Sequence, residues 1–171
     1  MPTTAFRVLQ HLQSDANPAV LRELLAPFVG LESPKVSLHL AVVQEPYLGF
    51  ILGGMKSVES RFSVQPVPPY RRVHAGDLIL LKHPGGPVVG SFTVSSAWHY
   101  RLDPSTWQDL RVNFTASLCA QDGFWEARAQ ARFATLMLIS DVLPLPPVDV
   151  PKHDRRGWVI LSDRHRGGRL F

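Results

Sequence analysis

The stretch "GGMKSVESRF", residues 53–62, sets Lys56, Glu59 and Arg61 close together directly after two glycines. The segment before it, "EPYLGFILGG", reads as a short helix with Pro46 in its first turn and Gly53-Gly54 closing its C-terminal end. The segment from Ser57 onward, "SVESRFSV", reads as a strand. A helix that turns into a strand at a glycine pair exposes Lys56 at the mouth of the turn. Glu59 and Arg61, two apart, then project from one face of the strand and can form an ion pair. Lys56 reaches Glu59 only if the turn folds it back. Spacing alone favours a surface ion-pair network of little energetic weight.

Upstream, the pattern is helical. "NPAVLRELLAPFVG" offers Asn17 as N-cap, Pro18 in the first turn, and Val20, Leu21, Leu24 and Leu25 as one apolar stripe, with Pro27 ending the helix before Gly30. Phe6, Leu9 and Leu12 make a shorter stripe ahead of it. Residues 1–34 therefore read as an N-terminal helical extension, and "ESPK" as its junction with a main domain over 35–171.

In that domain "VSLHLAVV" alternates as a half-buried strand does, and further strands stand at "DLILLKH" and "VVGSFTVSSAWHY". "DPSTWQDLRVNFTASL" and "GFWEARAQA" read as helices, followed by the apolar run "RFATLMLISDVL" and a proline-rich segment in which "GWVIL" is a closing strand. Strands interrupted by a few helices point to an α+β chain built on a small mixed barrel rather than a doubly wound sheet.

Composition sets the bounds. The chain has 171 residues, 45% of them hydrophobic and 19% charged, enough for one domain with a buried core. No apolar run approaches membrane-spanning length, and the first residues lack the pattern of a secretory signal, so a cytoplasmic protein without a membrane role is expected. The single cysteine, Cys119, has no partner for an internal disulfide and reads as a small buried hydrophobe. The seven histidines show no metal-ligand spacing, and no Walker loop, dinucleotide fingerprint or serine elbow is present; no metal or cofactor is expected.

Charge is informative in its placement. Residues 152–171 hold six basic side chains against two acidic ones, an excess equal to the +4 of the whole chain. A basic stretch at one end suits a polyanion partner as well as it suits a solvated tail. Within it "KHDRRGW" sets Lys152, Arg155 and Arg156 just before Trp158, a pattern suited to phosphate contact beside an aromatic ring. "AWHYR", residues 97–101, reads instead as a strand end with Trp98 and Tyr100 buried on one face.

"GGMKSVESRF" resembles the G-x-K-x-x-E-x-R signature of the ASCH domain family, within the PUA-like fold, with Gly54, Lys56, Glu59 and Arg61 at the matching positions. "EPYLGFILGG" resembles the family's preceding helix, "HAGDLILL" its Gly-Asp strand entry and "PVVGSFTV" the strand after that. The resemblance spans about residues 36–161. It implies a small PUA-like β-barrel flanked by helices, with a cleft beside the motif that receives single-stranded RNA or a modified nucleoside.

In such a cleft Lys56 can neutralise a phosphate or, desolvated, act as a base. Glu59 can accept from an exocyclic amine, Arg61 can hold Glu59 or grip phosphate, and Tyr47 can stack a base or pack in the core. Lys56, Glu59, Arg61, Tyr47, Lys152, Arg155, Arg156 and Trp158 are thus the candidate nucleic-acid-binding residues. Whether the protein is an enzyme stays open at this point. Some relatives of this type are ribonucleases, and others are amidohydrolases that remove the acetyl group of N4-acetylcytidine using a lysine at the position of Lys56 and a threonine nucleophile at that of Glu59. Glutamate offers no hydroxyl nucleophile there, so Lys56 and Glu59 are catalytic candidates chiefly for cleavage at a 2′-OH. A third reading is an interaction module whose N-terminal helices dock a protein partner.

Overall fold

The computed structural model describes residues 1–29 and 34–164. Gly30, Glu32 and Ser33 of the "ESPK" junction, and Arg166 and Arg169 of the basic stretch lie outside the described residues. The elements run α1 (Thr4–Leu12), α2 (Ala19–Leu25), β1 (Leu38–Val42), α3 (Tyr47–Leu52), β2 (Val58–Ser63), β3 (Leu78–Lys82), β4 (Val88–Arg101), α4 (Pro104–Phe114), β5 (Phe133–Val148) and β6 (Trp158–Ser162). One mixed six-stranded sheet in the order β2-β5-β4-β3-β1-β6 curls into a half-barrel with the helices around it. Only β1 and β3 pair in parallel.

The N-terminal helices pack on this sheet. Val8 and Leu12 of α1 and Leu21 and Leu25 of α2 share a core with Leu38, Leu40, Leu80 and Val159. The buried face of α1 is set by Val8 and Leu12, whereas Phe6, expected in the stripe, is 56% exposed. Asn17 does not cap α2. Its Nδ2 donates to the carbonyls of His11 (2.8 Å) and Leu12 (3.0 Å) at the end of α1, and Pro18 holds the N-cap position of α2. Pro27 sits in a 3₁₀ turn, Ala26–Phe28, that ends the helix as expected.

β1 departs from the half-buried reading, because Leu38, His39, Leu40 and Ala41 are all buried. A strand between two others, with α1 and α2 over one face and the core of α3 against the other, has no solvent side. Its polar residues are accordingly bonded. Asp77 accepts from Ser37 N (2.8 Å), His74 N (2.8 Å), His39 Nε2 (3.1 Å) and the Arg164 guanidinium. His39 Nδ1 accepts from Trp158 Nε1 at 3.1 Å, which leaves the ring proton on Nε2 for Asp77. Burial raises the Asp77 carboxyl, but these hydrogen bonds outweigh it and hold the group below the usual range.

The segment "GFWEARAQA" forms only a 3₁₀ turn, Glu126–Arg128, in place of the expected helix. Gly123 turns the chain at φ 82°, and Trp125 is anchored by its Nε1 to Thr115 Oγ1 at 2.9 Å, so tertiary contacts prevail over helix propensity. Replacing Leu21 by alanine removes a fully buried side chain that joins α2 to the sheet. We expect a loss of about 2–5 kcal/mol, seen as a lower urea midpoint with an unchanged slope.

Candidate functional site

The site begins where α3 ends. Gly54 adopts φ 79°, and both Met55 N (2.9 Å) and Lys56 N (3.0 Å) donate back to Phe50 O, so the chain reverses tightly onto the helix. The turn therefore folds Lys56 inward, contrary to the exposed side chain that spacing suggests. Lys56 is only 3% exposed; its Nζ donates to Leu118 O at 2.8 Å, stands 3.6 Å from Glu59 Oε2 and lies 5.2 Å from the Tyr47 ring centroid. Burial pushes the Lys56 ammonium below its ordinary range and Glu59 opposes that shift.

Glu59 and Arg61 sit on the same face of β2, as their spacing requires. Glu59 is buried, with Oε1 3.4 Å from Arg61 Nε. The Arg61 fork does not point free into solvent. Nη2 donates to Val42 O (2.8 Å), Nη1 to Gly157 O (3.4 Å), and the guanidinium carbon lies 5.3 Å from the Trp158 ring centroid. The network is thus largely buried, not the surface pair that spacing favours. Trp158 is buried too and supports Arg61 from beneath.

A cavity of about 700 Å³ opens beside the motif. Lys56, Glu59, Arg61 and Tyr47 line one part of it, and Lys152, Arg155 and Arg156 line another. Two segments far apart in the chain therefore share one cleft, and of the eight sequence-derived candidates only Trp158 is not on its wall. Tyr47 is half-buried, between the two roles considered for it. Its ring packs edge-on against Phe124 and Phe50, and its hydroxyl accepts from Gln121 N at 3.3 Å.

Three further lining residues were not singled out from sequence. Arg128 lies flat over Phe124, 3.7 Å from its centroid, and donates to Phe124 O at 2.8 Å. Lys82, the last residue of β3, is buried with its Nζ on His83 O at 3.0 Å. A lysine ending the apolar run "LILLK" was the available signal for it. For Arg128 and Phe124 no local signal exists, because their partners on the wall come from other elements. Burial and then the nearby Lys152 push Lys82 down, and burial does the same to Arg128. Among the described residues, seven lysine and arginine side chains line the cavity against two carboxylates, Glu59 and Asp154.

The other groups lie elsewhere. Trp98 is 36% exposed and packs on Phe114 of α4, so it is not buried as expected; Tyr100 is half-buried. Neither lines the cavity. Cys119 is also only half-buried, its Sγ 3.4 Å from Met55 O. Among the described residues no group of three His, Cys, Asp or Glu is placed to hold a metal, and no helix is long and apolar enough to cross a membrane.

Solved structures with the same architecture include an ASCH protein from Zymomonas mobilis, 12% identical, matched over 77% of this chain and 92% of that one with a TM-score of 0.59. Two single-residue variants of that protein match at 14% identity, with TM-scores of 0.57 and 0.58, each over 76% of this chain and 92% and 94% of theirs. The chain has the ASCH fold. No family model and no curated protein matches the sequence. The ASCH-like half-barrel here is the frame that brings β2 and the 152–157 loop together.

Arg61→Lys keeps the charge and removes the planar fork that spans Val42 O and Gly157 O. We expect this change to cost about 1–3 kcal/mol, read from chemical denaturation, since a single ammonium cannot satisfy both carbonyls and Glu59 together.

Proposed function

We propose that this cavity binds RNA, as a single strand or as a modified nucleoside, with Lys56, Glu59, Arg61 and Tyr47 on one side and Lys152, Arg155 and Arg156 on the other. The observation that carries the reading is the excess of seven cations over two carboxylates in a cleft of about 700 Å³. Low-dielectric walls strengthen that field, and an anionic polymer is the ligand that relieves it. The planar Arg128 guanidinium on Phe124 offers a surface on which a base can stack, as the Tyr47 ring does from α3. Arg155 and Arg156 are exposed and suit phosphate; Trp158 acts through Arg61. Glu59, shared between Lys56 and Arg61, keeps both cations in place.

Residues 1–34 are proposed as an extension and 35–171 as the binding domain. A cytoplasmic setting accords with an RNA ligand and with the lone Cys119. The protein-docking reading has less support, because the apolar stripes of α1 and α2 are already packed against the sheet.

Hydrolysis of RNA in the same cavity is favoured by one feature: Lys56 is buried within 3.6 Å of Glu59, and burial, which Glu59 only partly opposes, lets it release a proton more readily than an exposed lysine. Incubating end-labelled single-stranded RNA with wild type and Lys56→Ala separates the readings. Binding alone leaves RNA intact with both and weakens retention by the variant. Hydrolysis gives fragments with wild type that Lys56→Ala does not produce.

Binding through phosphates makes affinity fall with salt, with a log-log slope of about −0.7 per phosphate contacted on a single strand. Arg155→Ala with Arg156→Ala should lower affinity for all sequences about equally and flatten that slope by roughly one to two contacts. A loss restricted to one sequence would count against phosphate contact.

A further inference from the structure

The loop between β5 and β6 carries a carboxylate in the middle of its cations. Asp154 Oδ1 accepts from Lys152 Nζ (3.1 Å) and from Arg156 N (3.0 Å), and Oδ2 accepts from Arg156 Nη2 (2.8 Å). Arg156 first, together with the nearby Thr4 side chain and Lys152, holds the Asp154 carboxyl well below the usual carboxylate range. An ammonium, a guanidinium and a main-chain N–H converging on carboxylate oxygens form the donor set that a phosphate takes. All three residues line the cavity, and the exposed Arg155 between them makes no ion pair among the described residues.

We propose that Asp154 is a built-in occupant of the phosphate position, displaced when a phosphate group of the ligand enters. The proposal rests on the reading of the cavity as an RNA site and adds how that site is guarded. The side chain of Lys152 is only 4% exposed, and an ammonium so poorly hydrated needs an anion when the cavity is empty. Asp154 supplies it. A phosphate group brings more acceptor oxygens and at least equal charge, so it exchanges for the carboxylate at Lys152 and Arg156. A neutral nucleoside carries nothing that can make this exchange. Of the ligands proposed for the cavity, the exchange therefore favours those that carry phosphate, nucleotides free or within a strand, over a bare nucleoside, and Asp154 suppresses weak occupancy by stray anions.

The test measures binding of a random-sequence RNA nonamer, the four ribonucleosides and their 5′-monophosphates to wild type and Asp154→Asn at one ionic strength. Asparagine keeps an acceptor for Arg156 N but frees Lys152 and Arg156 from their counter-ion. The variant should bind the nonamer and the monophosphates about three- to tenfold tighter, with nucleoside affinity unchanged. Tighter binding of nucleosides and phosphorylated ligands alike, or unchanged or weaker binding of the nonamer and the monophosphates by Asp154→Asn, would overturn the displacement. Wild type that binds none of these probes would overturn the RNA reading itself, a different outcome from wild type that binds RNA without responding to Asp154.

Discussion

Arg61 bridges the side on which the sheet would otherwise lie open. β2 and β6 are the two ends of the strand order, so neither closes the half-barrel by main-chain pairing with the other. From β2 the Arg61 guanidinium reaches Val42 O at the end of β1 and Gly157 O just before β6, and rests on the Trp158 ring. Glu59, two residues back on the same face, orients it through Nε. A rigid planar fork can hold two carbonyls of different strands and a carboxylate together, which a point charge cannot. The cleft depends on this bridge, because it sets the distance between the motif and the loop that carries Lys152 to Arg156.

The same arrangement is costly. Lys56 and Glu59 are both buried, and ions removed from water are tolerated only with partners that replace hydration. Lys56 has a carbonyl, a carboxylate and an aromatic face; Lys82 has one carbonyl and a neighbouring lysine. Crowded cations lower the stability of the protein through mutual repulsion and lost hydration. The interior cost is offset elsewhere. Three apolar clusters cover both faces of the sheet, and the N-terminal helices complete one of them.

Where local pattern and environment agree, the sequence was a good guide. The strands of β2, β3, β4 and β6 carry their own periodicity, and the short helix before Gly53 is marked at both ends. The departures share a cause. His39 and Ser37 look like the solvent face of a strand until a neighbouring Asp77 gives them bonds that permit burial. Phe6 is apolar yet exposed, while Val8 is buried, because the tilt of α1 on the sheet chooses the inward stripe. Residues 124–128 have helix-forming composition, but burial of Phe124 and Trp125 bends them into a turn.

The sequence by itself determined the α3–β2 unit and the strands β1, β3, β4 and β6, the turn at Gly54, the shared face of Glu59 and Arg61, and the concentration of basic charge from Lys152 onward. These are local properties, set by backbone geometry and by the spacing of neighbouring side chains. Only the tertiary structure decided that the motif and the basic loop face one cavity, that Lys56 turns inward, that Arg61 is engaged by backbone carbonyls, and that Arg128 and Lys82 join them. The partners of a buried charge come from strands distant in sequence, and the curl of the sheet, with its register and open edges, selects which of them meet.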